Sequence, residues 1–402
     1  MGDPRGPSPS VVLRRRVIPV VVVLAVAAGL WLLLFRSDDE EPAGAPPPEP
    51  ARTSGPVAEL AARLTPEELV DQVLLLGFEG TDASAPFLDK VRARQLGGVL
   101  IDRENWLDSA TGTALAGGIR AAGREGDRIP PLIVTSQEGG PYRALADLPP
   151  EETQLEIGDS RSAQAAEDWA TGTAEALAAA GIDLNLAPLA DVATLDSAVS
   201  DRAFSDDPAA TAELTAASVR GCRSVGVACA VLHFPGLGAA SQDTSRGPAT
   251  VGLDPASLED RDLVPFQAAF AERVPAVVLS LALYTAYDPV TPGALAEPVA
   301  TGLLRDELGF EGVAITDDLG AGAVRAGQGV DAAAVDALAA GPDMVQIRSP
   351  TDQAGVRKRI LEALESRELP EGRLREAATR VLELKRDQSL IKPSLLAPDE
   401  DG

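Results

Sequence analysis

The 402-residue chain is 45% hydrophobic and only 3% aromatic, apolar enough to bury a sizeable core without an aromatic-rich binding surface. Its formal net charge of −26 excludes nucleic acid as a partner, because a phosphate backbone needs a basic face. Two cysteines, Cys222 and Cys229, are too few for a disulfide framework and match no zinc spacing, so they read as small buried apolar residues; their pairing stays open for a domain outside the membrane.

Residues 1–16 form a short tail that ends in Arg14, Arg15 and Arg16. Val17 to Phe35 is an uninterrupted apolar run, close to the roughly 20 residues of helix that cross a bilayer core. A single transmembrane anchor is therefore expected over 17–36. The arginines before it and Asp38, Asp39, Glu40 and Glu41 after it place the N-terminus in the cytoplasm and everything that follows outside, tethered to the cell membrane. The competing reading is a cleaved signal peptide, with Ala43-Gly44-Ala45 at the cleavage site. Residues 37–57 are acidic and proline-rich, a composition that cannot bury a core and serves as a spacer. The folded domain is expected over 58–388, with an acidic tail at 389–402.

Beyond the spacer, short runs of Val, Ile and Leu alternate with alanine-rich helical stretches, the βα alternation of a parallel sheet. Candidate strands are Val73 to Gly77, Gly97 to Ile101, Leu132 to Thr135, Asp183 to Ala187, Ala228 to His233, Ala276 to Leu281, Gly312 to Thr316 and Met344 to Ile347. Helical stretches include Ala163 to Ala180, Ala209 to Ser224, Leu258 to Glu272 and Asp331 to Ala339, with two closing helices between Ala354 and Arg386. Eight apolar strands buried on both faces predict an α/β fold, a (β/α)₈ TIM-type barrel preceded by the membrane helix. An open doubly wound sheet predicts the same alternation, but no G-x-G-x-x-G turn follows the first strand.

In such a barrel the functional side chains follow the C-terminal ends of the strands. Gln137, Glu138, Asp191, Arg202, His233, Asp243, Asp317 and Asp318 all fall there. A carboxylate at a strand end, such as Asp317, can serve as a nucleophile; the alternative is that Asp317 and Asp318 cap the next helix. His233 is the only histidine, and in that position a structural hydrogen bond is as common as a functional role.

The strand-end motifs carry a resemblance. TSQEGG at 135–140, GIDLNLAPLADV at 181–192, SDRAFSDDP at 200–208, VLHFPGLGAASQDTS at 231–245 and LRDELGFEGVAITDDL at 304–319 together resemble glycoside hydrolase family 3, in particular its single-barrel β-N-acetylhexosaminidases. The similarity runs from about Leu60 to Leu384. It implies hydrolysis of β-linked amino sugars of cell-wall glycan, with Asp317 as nucleophile and Asp243 at the position that orients an acid/base histidine. It also implies sugar contacts from Arg202, His233, Ser136 and Arg143.

Several positions depart from that pattern. Ser245 stands where the family keeps the acid/base histidine, and a hydroxyl has no pKa near that needed to shuttle a proton. Ser136 replaces an aspartate, Leu232 a lysine, Pro141 an arginine, and Leu237 and Leu281 histidines. Glu138 is a substitute acid only if it is freed from the structural place the resemblance gives it. Two functions follow: a retaining glycosidase with activity impaired by these changes, or a barrel that binds wall glycan without cutting it. A third is a site whose leucines accept a more apolar sugar. The chain is expected to be monomeric, with carbohydrate and the membrane as partners, and to use no metal and no cofactor.

Overall fold

Runs of Val, Leu, Ile and Ala that bury both faces form the strands of a parallel barrel. The computed structural model describes residues 55–83, 86–240 and 242–397. In chain order the strands are β1 (Leu74–Leu76), β2 (Gly98–Leu100), β3 (Leu132–Thr135), β4 (Leu184–Asn185), β5 (Ala228–Phe234), β6 (Thr250–Val251), β7 (Ala276–Leu279), β8 (Leu283–Tyr284), β9 (Asp288–Pro292), β10 (Val313–Thr316) and β11 (Val345–Ile347). Eight of them pair in the order β10-β7-β5-β4-β3-β2-β1-β11. A parallel bridge between Ile315 and Met344 joins the two ends and closes the barrel.

Side chains alternate across the barrel wall, as the two-residue period of a strand requires. Leu75, Leu100, Val134, Leu184, Ala230 and Ile315 pack together in the interior. Their neighbours Leu74, Val99, Ile133, Val231, Val277 and Ala314 belong to the larger cluster under the surrounding helices. The wall is therefore apolar on both faces, which is why the strands read as continuous hydrophobic runs.

Two of the expected helices show how local sequence sets these boundaries. Ser162 caps Ala163–Ala180 by accepting from the Ala165 N–H, and Gly181 ends it in the left-handed region at φ 81°. Asp207 caps Pro208–Val225, Pro208 opens it, and Gly226 ends it at φ 90°. Each then feeds a strand directly, β4 and β5. Cys222 on the second helix and Cys229 on β5 are buried free thiols. The two closing helices are Gln353–Ser366 and Glu371–Asp387.

One expectation is corrected. Among the described residues no helix is long and apolar enough to cross a membrane; the 18-residue helices at 163–180 and 208–225 instead bury one face against the barrel. The stretch 17–36 read as a transmembrane anchor, and with it the membrane partner, lies outside the described residues. A small sheet, in which β8 pairs with β6 in parallel and with β9 antiparallel, was not foreseen. It stands beside the barrel mouth and anchors the long loop after β5, through Leu283 N–H to Ala249 O at 2.8 Å.

Candidate active site

The C-terminal strand ends converge on one cavity of about 390 Å³. Ser136, Arg202, His233, Asp243, Ser245 and Asp317 all line it. Asp317 directly follows β10, and its N–H donates to Leu279 O at 3.0 Å, which ties it to β7. One carboxylate oxygen accepts the Asp318 N–H at 2.7 Å. The Asp318 carboxylate serves the backbone instead. Its Oδ1 accepts the N–H groups of Gly320 and Arg348, at 3.2 and 3.1 Å, and so pins the turn after β10 to the end of β11. Burial pushes its carboxyl above the usual range.

His233 is the extra residue of a bulge in β5. Leu232 pairs with Val278 and Phe234 with Leu279, so His233 has no partner of its own and is re-aimed by the local twist. Its Nδ1 lies 2.8 Å from Asp191 Oδ2, while Asp191 Oδ1 accepts the N–H groups of His233 and Leu237 at 3.2 and 2.7 Å. That arrangement assigns the proton to Nδ1 and leaves Nε2 as the ring's other polar atom. Burial opposes a charged imidazole, but the carboxylates of Asp191 and Asp317 outweigh it and raise the His233 pKa.

Arg202 reaches the mouth from the loop after β4. Its Nε and Nη2 each donate to one oxygen of Glu138 at 2.8 Å, a two-pronged pair in which the side chains are only 20% and 7% exposed. Burial works against the guanidinium charge, and Glu138 more than restores it. Ser136 Oγ donates to the same Glu138 at 3.2 Å. The guanidinium also lies 5.5 Å from the centre of the Tyr142 ring. Tyr142 donates its hydroxyl to Asp201, and burial together with that carboxylate pushes the phenol up to about 12.

The loop carrying Asp243 and Ser245 is held down by the turn after β10. Ser245 O accepts the Gly322 N–H at 2.9 Å and Thr244 O the Ala323 N–H at 3.0 Å. Gly322 is needed here, because a Cβ on it would come within 2.5 Å of the Arg246 carbonyl carbon. Asp243 Oδ1 accepts the Ser245 N–H at 2.8 Å. Burial would raise the Asp243 pKa, but Ser245 and then Arg202 lower it overall.

Arg143 does not line this cavity. Its guanidinium donates to Gly140 O and Leu148 O at 2.9 and 3.1 Å, so it shapes the loop after β3 and borders a neighbouring depression that shares Ser136, Glu138 and Arg348 with the mouth. Leu232 and Leu237 do line the cavity, with Leu186 and Val278, giving it one apolar wall. Three features escaped the sequence reading: the Glu138–Arg202 pair, the Asp191–His233 pair, and Gln346 and Arg348 on the wall. The acidic residues were visible at strand ends; their partners lie 64 and 42 residues away, and only the closed barrel brings them together.

Residues 67–384 match the glycosyl hydrolase family 3 N-terminal domain, and the chain belongs to that family. A beta-hexosaminidase of Stenotrophomonas maltophilia is 36% identical over 288 residues, which cover 69% of this chain and 84% of that protein. The structure is similar to a family 3 beta-N-acetylglucosaminidase from Paenibacillus, with a TM-score of 0.79 and 31% identity over 81% of this chain; the match spans 63% of the Paenibacillus chain. It is also similar to a beta-N-acetylhexosaminidase from Beutenbergia cavernae, with a TM-score of 0.70 and 28% identity over 81% of this chain and 99% of that one.

Proposed function

We propose that this chain is a retaining glycosidase that hydrolyses β-linked N-acetylated amino sugars of cell-wall glycan, with Asp317 as its nucleophile. The observation that carries the reading is the convergence of Asp317, Arg202, His233 and Asp243 on one cavity at the barrel mouth. The Asp317 carboxylate attacks the anomeric carbon as the glycosidic C–O bond breaks, and the departing oxygen takes up a proton. Water then displaces the sugar from Asp317. Arg202 stays protonated and supplies fixed donors to sugar oxygens. His233, oriented by Asp191, contributes a second polar contact. The wall of Leu186, Leu232 and Val278 suits the methyl group of an acetamido substituent.

Ser245 occupies the place of the acid/base, and its hydroxyl does not protonate a leaving group at neutral pH. General acid/base catalysis contributes roughly 10²–10⁴-fold, so the enzyme is slow on substrates with poor leaving groups. An aryl β-N-acetylglucosaminide is hydrolysed faster than an unactivated β-linked disaccharide. Ser245→His raises turnover of the disaccharide more than that of the aryl substrate. Equal gains on both would show that proton delivery is not what the site lacks.

A second reading, glycan binding without cleavage, is favoured by one observation. Asp243 engages the Ser245 backbone in a local turn, where a proton-carrying side chain would otherwise be its partner. Absence of turnover on either substrate, combined with measurable binding of wall fragments, selects that reading.

A further inference from the structure

Met344, Gln346 and Arg348 alternate along β11 and the residues that flank it, and they run from the barrel interior towards the mouth. Met344 immediately precedes β11, on the side away from the mouth, and packs in the apolar interior. Gln346 pairs in register with Leu75, is 1% exposed, and lines the same cavity as Asp317. Its backbone is fully used: the N–H donates to Thr316 Oγ1 at 3.1 Å and the carbonyl accepts the Leu319 N–H at 3.0 Å. The residue is thus fixed on both sides of the segment that carries Asp317.

Its side chain is not used in that way. Nε2 is buried without a hydrogen-bond partner among the described residues. Leaving such a donor unmade costs free energy, and an apolar side chain of the same length, like Met344 two residues earlier, would avoid it. The other buried atoms in this condition belong to Arg120, Thr215, Asp262, Arg305 and Arg380, none of which lines the mouth. Among the described residues, only Gln346 combines an unmet donor with a wall of the cavity, beside the proposed nucleophile. Native proteins keep such groups where something else completes them.

We infer that Gln346 is a specificity-determining residue, whose amide donates to a neutral oxygen, a hydroxyl or an acetamido carbonyl, of the sugar held against Asp317. The inference rests on the glycosidase reading for the identity of the sugar. An uncharged amide suits this role, because it adds a directed hydrogen bond without lowering the charge of the carboxylate that must attack.

The test uses the full-length protein and its Gln346→Met and Gln346→Glu variants, the first keeping length and the second shape. Three quantities are read: melting temperature, the Kd of N-acetylglucosamine by calorimetry, and kcat/KM on an aryl β-N-acetylglucosaminide. The inference expects Gln346→Met to melt at or above the wild-type temperature while Kd weakens and kcat/KM falls, each by about five- to tenfold. Gln346→Glu exchanges the amide for a second carboxyl beside Asp317, where burial and the like charge disturb the nucleophile, and its turnover falls at least as far. Binding and kcat/KM within twofold of wild type in both variants overturn the inference. So does a lower melting temperature in both, which assigns the amide a structural role. Wild-type protein that binds the sugar without hydrolysing it, with binding weakened by Gln346→Met, keeps the role of Gln346 and removes the hydrolytic reading. Wild-type protein that does neither removes both.

Discussion

Arg202 and Glu138 hold each other in a place where neither charge is easily kept alone. A buried ion pair adds little net stability, but breaking it leaves the remaining charge desolvated, at a cost of about 3–5 kcal/mol. Arg202→Met should therefore lower the unfolding free energy by that order in a urea titration. Replacing Glu138→Gln in the same chain should recover part of the loss, because it removes the stranded carboxylate. Activity should not recover with it, since the guanidinium proposed to face the sugar is still missing. Recovery of both would show that Arg202 acts only as a counter-ion. The pair also explains why Glu138 is not a free acid: both of its oxygens accept from Arg202 at 2.8 Å.

At the scale of elements, the loop after β5 and the turn after β10 form a clasp over one side of the mouth. Its tightest point is Gly322, where an added Cβ would sit 2.5 Å from the Arg246 carbonyl carbon and 2.6 Å from its oxygen. Gly322→Ala should lift the loop that carries Asp243 and Ser245, raising KM on an aryl β-N-acetylglucosaminide several-fold, with a loss of about 1–3 kcal/mol in stability. An unchanged KM would mean that the clasp does not shape the substrate site. The barrel strands themselves were legible in the sequence, because burial on both faces leaves an unbroken apolar run; Leu132–Thr135 has the expected bounds, and the other seven differ at their ends by one or two residues. The helices at 163–180 and 208–225 were legible as alanine-rich stretches, the second to within one residue at each end. The sheet of β6, β8 and β9 was not, since strands of two residues such as Thr250–Val251 and Leu283–Tyr284 are too short for a pattern. Site positions were legible one at a time at strand ends, whereas Gln346 was hidden because a polar residue inside an apolar strand shows its meaning only when its partners are known.

For the molecule as a whole, the end of the barrel opposite the mouth is tied by a charge cluster remote from the chemistry. Asp343, just before β11, pairs with Arg305 at 2.7 Å, Arg380 at 3.0 Å and Arg373 at 3.1 Å, and its side chain is fully buried. Two of these arginines come from the helix Glu371–Asp387, so the cluster fastens the C-terminal part of the domain to its sheet. Burial opposes the Asp343 charge, but the three guanidiniums hold its carboxyl below the usual range. A depressed carboxylate stabilises the fold at pH values above its unfolded pKa, about 3.9, and that contribution is lost as the pH falls through the lower folded value. Asp343→Asn should cost about 3–5 kcal/mol at neutral pH, the difference from wild type should narrow below about pH 4, and KM should stay unchanged. A shifted KM would contradict the separation of the fastening end from the mouth.

The central claim is that Asp317 attacks the anomeric carbon of a β-linked N-acetylated amino sugar. A fluorinated β-N-acetylglucosaminyl donor with a good leaving group slows release of the sugar, so a covalent glycosyl-enzyme accumulates and is read by intact-mass and peptide mass spectrometry. The account predicts one added sugar per chain, mapped to the peptide that contains Asp317, and neither adduct nor turnover in Asp317→Asn. An adduct on another residue, or turnover that survives Asp317→Asn, would contradict it.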